Sequence, residues 1–241
     1  DHIYGVDTAI PQKYEGKGET DPAKLVEMIQ AAIPEQHRKF AAKLLSDHGV
    51  PEWPEGEDDV TLSFSLAQAQ LLVDEALTRP KCRMIVNALG TPPPEIVEQV
   101  HKSGRLIGAL AGRLKHGINH KKAGLDFIVC QGSEGGGHAG EVTSMVLWPQ
   151  MVKAVAPLPV LAAGGIASGQ QIMAAMSMGV EGVWLGSMWL NSTEAHAEPA
   201  QRESYMKATS EDTVRSRSFT GKTARMLKNE WTEAWERADT P

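Results

Sequence analysis

Ten consecutive residues hold the densest chemistry in the chain: Gln131-Gly132-Ser133-Glu134-Gly135-Gly136-Gly137-His138-Ala139-Gly140. Glycines lack a Cβ, so backbone in such a run can approach a ligand closely. A histidine at the edge of the run can move protons near neutral pH. Gln131 adds an amide that both donates and accepts. That pattern suits a heteroaromatic ring with alternating donors and acceptors, such as a flavin. Gly136 and Gly137 would lie against the ring, and His138 would face the substrate. Two further apolar runs end in glycine, one before Gly164-Gly165-Ile166 and one, containing Trp184 and Leu185, before Gly186-Ser187. Amides at strand-to-helix turns favour anions, so both turns are candidate phosphate contacts. The plainer alternative, that the glycines only permit tight turns, must explain why all three follow buried strands.

Those loops need a scaffold, and the hydrophobic pattern supplies one. A strand is expected over residues 3–10, stopped by Pro11, and a polar loop over 12–20. Asp21-Pro22 reads as an N-cap with proline at the first helical position. Leu25, Met28, Ile29 and Ala32 follow at helical spacing. A second helix is expected over 35–48, ending at Gly49, then an acidic surface loop over 51–59 and a third helix over 66–77. From Arg83 the chain alternates strand and helix, with strands over 84–89, 106–111, 125–130, 160–163 and 180–185. Ser168 and Gln171 stand at capping-box spacing before one of these helices. Strict βα alternation implies parallel strands with right-handed crossovers.

Six strands can be counted in this pattern, whereas a closed barrel of the type has eight. The chain also opens on Asp1 with a strand already under way. The expected fold is therefore α/β, a TIM-type (β/α)8 barrel lacking its first two strands in this chain, with a helical insertion. Residues 1–20 and 78–200 would form the barrel core. Residues 21–77 would form the insertion, a candidate lid, and 201–241 a helical tail. In such barrels the loops after the last two strands commonly hold phosphate, which fits the turns at Gly164 and Gly186. Six strands alone would leave two open edges.

Bulk properties narrow the partners. The 241 residues are 41% hydrophobic and 22% charged, with a formal net charge of −6. No basic face for nucleic acid is visible, no run approaches membrane-spanning length, and no leader opens the chain. A cytoplasmic location is expected. Cys82 and Cys130 read as reduced, buried thiols. No ligand spacing for a metal is present. His116 and His120, beside Lys115, Lys121 and Lys122, read as solvent-facing.

The glycine-histidine run, the Ala162-Ala163-Gly164-Gly165-Ile166 turn and Leu185-Gly186-Ser187 together resemble the nitronate monooxygenase family, formerly called nitropropane dioxygenases. Tyr4-Gly5-Val6-Asp7, Asn87-Ala88-Leu89-Gly90 and the tail from Asp212 to Trp235 extend the resemblance. The resemblance implies an FMN enzyme that oxidises alkyl nitronates or nitroalkanes with O2 to a carbonyl compound and nitrite. It implies His138 as the catalytic residue. It implies flavin contacts at Gln131, Gly136 and Gly137, and phosphate or ribityl contacts at Gly164, Gly165, Trp184, Leu185, Gly186 and Ser187. Asp7 falls where many members carry an asparagine that touches the flavin. A small-molecule nitronate and O2 would be the reaction partners, with a homodimer as one option. Two other readings are a flavin-dependent enoyl-thioester reductase using NAD(P)H, and a non-catalytic, incomplete flavin-binding fragment.

Overall fold

The computed structural model describes residues 2–11, 21–51, 65–237 and 240. The loops expected over 12–20 and over most of 51–59 lie outside the described residues. In chain order the elements begin with β1 (Tyr4–Thr8), α1 (Pro22–Ala32), α2 (Glu35–Asp47), α3 (Leu66–Thr78), β2 (Cys82–Asn87) and α4 (Pro94–Lys102). They continue with β3 (Leu106–Ala111), α5 (Leu114–Lys122), β4 (Phe127–Gln131), β5 (Gly137–His138), α6 (Ser144–Val155) and β6 (Val160–Ala163). The last are α7 (Gly169–Ser177), β7 (Gly182–Trp184), α8 (Pro199–Lys207), β8 (Thr213–Ser216), β9 (Ala224–Leu227) and α9 (Glu230–Trp235).

Six strands pair in the order β1-β2-β3-β4-β6-β7, every pair parallel. Each strand lies beside the next one in sequence, which is the winding of a TIM-type barrel. The curled sheet supplies six of that barrel's strands, with β1 and β7 as its edges. Side chains alternate between its faces, as pleating requires. Ile85, Ile107, Ala109, Ile128, Cys130, Val160 and Ala162 point outward and are buried beneath the helices. Val86, Phe127, Val129 and Ala163 form a separate inner cluster. Met84, Leu110, Leu161 and Trp184 flank that cluster and are only half-buried.

Local signals account for most helix ends. The Asp21 carboxylate caps Ala23 N–H at 3.0 Å, with Pro22 at the first helical position. Ser168 Oγ accepts from Gln171 N–H at 3.3 Å. The return half of the expected capping box is displaced by one residue, because Gln171 Oε1 takes the N–H of Ala167 instead of Ser168. Cys82 and Cys130 are both free and buried, and burial pushes the Cys130 thiol up to about 12.

Three features differ from the sequence expectation. Within the stretch expected as an insertion, α3 buries Ala69, Val73 and Ala76 behind β1 and β2, so it serves as the crossover helix between them. The tail is helical only in part, since β8 and β9 form an antiparallel hairpin that pairs with β5. His120 is buried, not solvent-facing, while His116 is exposed. The His120 ring turns inward from α5, with Nε2 at 3.0 Å from Leu110 O and Nδ1 at 2.9 Å from Thr91 Oγ1. Two polar partners compensate the burial that the lysine-rich surroundings had obscured.

Candidate active site

The singled-out residues gather at the C-terminal ends of the parallel strands, where barrels of this type carry their loops. Gln131, Ala163 and Trp184 are register partners on β4, β6 and β7 and share the inner face. Asp7 pairs with inward-facing Val86 at the end of β1. It stands three strands from β4 and, by register, level with Phe127, four residues before Gln131. Leu185 turns its side chain into the outer core, so only its backbone reaches the rim.

The three glycine turns are packed together. Gly164 has φ +100°, and a Cβ there would meet Gly132 O at 2.9 Å. A side chain at 164 is therefore excluded by both conformation and space. A Cβ on Gly136 would stand 2.5 Å from Ser187 Oγ, so the first loop and the third touch. Gly136, Gly137, His138, Gly165, Gly186 and Ser187 are all open to solvent at this end. The amides of Gly165 and Gly186 have no acceptor among the described residues.

Several residues that the sequence did not single out fix this rim. Glu134 accepts from Ser144 N–H at 2.9 Å and from Ser144 Oγ at 2.8 Å, capping α6 from the loop. The same Ser144 hydroxyl lies 3.0 Å from Gly164 O, linking loop, helix and the next turn. Arg225 on β9 clasps Ser133 O through Nε and Nη2, both at 3.2 Å. Arg215 on β8 donates from Nη2 to Gly140 O at 2.9 Å. The tail hairpin thus grips both ends of the glycine run.

His138 lies within that grip. Its strand, β5, has β9 as its partner, with His138 opposite Ala224. The ring is exposed, and Nε2 is 2.6 Å from the hydroxyl of Thr220, in the β8–β9 connection. Only a signal pairing positions 82 residues apart could have revealed Thr220.

Asp7 is the rim carboxylate with a perturbed titration. Desolvation by the surrounding strand ends raises it to about 6, and the Thr8 backbone N–H partly offsets this. Its side chain nonetheless keeps solvent contact, so the shift reflects partial loss of hydration. Among the described residues no group of three or more His, Cys, Asp or Glu is placed to hold a metal ion, and no helix is long and apolar enough to cross a membrane.

Comparison with known proteins assigns the chain to a family. A Mycobacterium tuberculosis protein, provisionally named a monooxygenase, is 48% identical over 243 residues, covering 99% of this chain and 64% of the relative. A Staphylococcus aureus protein, provisionally named a nitronate monooxygenase, is 37% identical over 155 residues, covering 60% of this chain and 43% of the relative. The fold matches nitroalkane oxidase from Streptomyces ansochromogenes with a TM-score of 0.75 at 24% identity, over 97% of this chain and 63% of that one. The chain thus spans less than two thirds of the length of each. The sequence profile described as nitronate monooxygenase matches residues 40–240. By that match and the 48% relative, the chain belongs to the nitronate monooxygenase family.

Proposed function

We propose that this chain carries the catalytic rim of a flavin-dependent oxidoreductase that converts alkyl nitronates and O2 to a carbonyl compound and nitrite. The observation that carries the reading is His138, exposed at the mouth of three glycine turns and held through Nε2 by Thr220 at 2.6 Å.

The rim fits a flavin mononucleotide. The amides of Gly165 and Gly186, unpaired among the described residues, suit a phosphate together with the Ser187 hydroxyl. The Gly136–Gly137 backbone offers a surface without side chains, and the Gln131 amide lies beneath it, against Gly135. Trp184 extends the inner wall. Leu185 would contribute backbone alone. Asp7 would approach the ring from the opposite side. Near its raised pKa of about 6, part of the population is protonated, and a neutral carboxyl can donate as the amide of an asparagine does. Bound FMN would supply the electron acceptor.

His138 would take the proton. With Nε2–H donating to Thr220 Oγ1, Nδ1 is the nitrogen left with a lone pair. It can accept the α-proton of a neutral nitroalkane, or hold the nitronate by a charge-assisted bond once protonated. The helical pair α1–α2 would shield this chemistry from one side. It reaches the tail through Phe40 and His37 of α2, which pack on Trp231 and Trp235.

The test is nitrite release in air from propionate 3-nitronate by the FMN-loaded protein, with the visible flavin bands followed anaerobically. Bleaching by nitronate and stoichiometric nitrite are expected. Flavin bands that respond to NADH and not to nitronate would assign the protein to the reductase reading instead. A purified protein that takes up no flavin would overturn the cofactor assignment.

A further inference from the structure

Outside the rim, one cavity collects charge against the trend of the molecule. It lies between β8 and α9, has a volume of about 390 Å³, and is lined by Arg215, Ser216, Arg217, Trp235, Glu236 and Arg237 among others. The chain as a whole carries a formal charge of −6, yet three arginines and a single carboxylate line this cavity. Among the described residues none of the three forms an ion pair. The nearby carboxylate, Glu236, accepts from Ser216 Oγ at 2.6 Å instead.

Arg215 shows the unmet demand most directly. Its Nη2 is committed to Gly140 O, while its Nε is buried without an acceptor. An unpaired charged donor inside a protein is costly, and the charge of an anion seated in the cavity that Arg215 lines would lower that cost. Arg217 and Arg237 are exposed at the mouth, free to close on the same ligand. Arginine forks match phosphate oxygens in bidentate geometry, which gives both strength and orientation. Trp235 contributes a flat apolar wall, already stacked on His37 at 5.9 Å and 21°. That wall suits the organic part of a phosphorylated molecule.

We propose that this cavity is a second anion site, for a small diphosphate-bearing molecule, separate from the flavin rim. It faces the tail hairpin, two strands removed from β5, and its occupant would brace the hairpin that holds His138. The site stands on its own observations and does not depend on which substrate the rim turns over.

The experiment is calorimetric titration of inorganic pyrophosphate into the FMN-saturated full protein. The same titration is made with citrate at equal ionic strength, and with Arg217→Gln, Arg237→Gln and a charge control on another helix, Lys122→Gln at the end of α5. Both arginines are exposed, so neither variant threatens the fold. The expected result is saturable 1:1 binding, at least tenfold weaker in either arginine variant, unchanged in Lys122→Gln and much weaker for citrate. No saturable binding would overturn the proposal. So would equal weakening by Lys122→Gln, equal affinity for citrate, or release of FMN by pyrophosphate, which would place the anion at the rim.

Discussion

His138 Nε2 lies 2.6 Å from Thr220 Oγ1, joining a residue of the barrel's fourth-strand loop to the tip of a hairpin made 82 residues later. In the tautomer whose Nε2–H donates to the Thr220 hydroxyl, Nδ1 keeps the lone pair that can act as the base. His138→Asn should retain the yellow cofactor and lose about 10²- to 10⁴-fold in turnover of neutral nitroalkanes, the usual range for a positioned base. Turnover of preformed nitronate should fall less. Steady-state kinetics with both substrate forms checks this; an equal loss with the two would count against proton abstraction.

Thr220→Val should lower nitroalkane turnover by about five- to tenfold, the worth of one hydrogen bond, and move the His138 ring-nitrogen resonances seen by NMR. Thr220→Ser should restore both. A Val variant with unmoved ring-nitrogen resonances would show that the hydroxyl does not position the ring.

Asp7 gives a pH signature with a defined sign. Its folded pKa, about 6, lies above the ordinary value of 3.8 for an aspartate. The folded state therefore holds the proton more tightly, and Asp7's contribution is favourable at low pH and lost as pH rises from about 4 through 6. Asp7→Asn should raise the melting temperature relative to the parent at pH 8 and leave it nearly unchanged at pH 4. Thermal melts at the two pH values decide; an equal difference at both would remove the desolvated carboxyl as the cause.

His120 should act in the opposite direction. Burial lowers its pKa below the ordinary value, with the Leu110 carbonyl partly opposing and His116 adding to the shift. The unfolded chain then takes up the proton first, so stability falls as pH drops below about 6.5. His120→Gln, which keeps a donor for Leu110 O, should flatten that acid limb in urea titrations between pH 7 and 5. A limb of unchanged slope would exclude His120.

Glu134→Gln tests the link between loop and helix. Its carboxylate receives both the N–H and the hydroxyl of Ser144 at the start of α6. Weakening this cap should cost about 1 kcal/mol in denaturant unfolding and reduce FMN retention, since Ser144 also contacts Gly164 O. Stability loss with unchanged flavin affinity would confine Glu134 to the helix.

The strands were legible because burial writes itself as apolar runs closed by glycine. Val160–Ala163 and Leu106–Ala111 occur with the expected bounds, and the others differ by a few residues at their ends. The rim loops followed, since glycine marks close backbone approach at Gly164 and Gly136. What escaped depends on distant partners. β5 is two residues long and exists only because β9 pairs with it, so no local pattern announces it. The sequence neighbours of His120 are lysines, and its burial is decided by Thr91 and Leu110. Arg225 and Glu134 look like surface charges until the loop they hold is folded beside them.

The strand that carries His138 has its register set by β9, and this gives the protein an order of events. While the chain is being synthesised, every barrel strand described above leaves the ribosome before the hairpin that positions the base. On the proposed function, the base is then placed only when the hairpin is present. A chain clipped before β8 would lose the register of His138 together with the holds on Gly140 and Ser133, so flavin retention and turnover would both suffer.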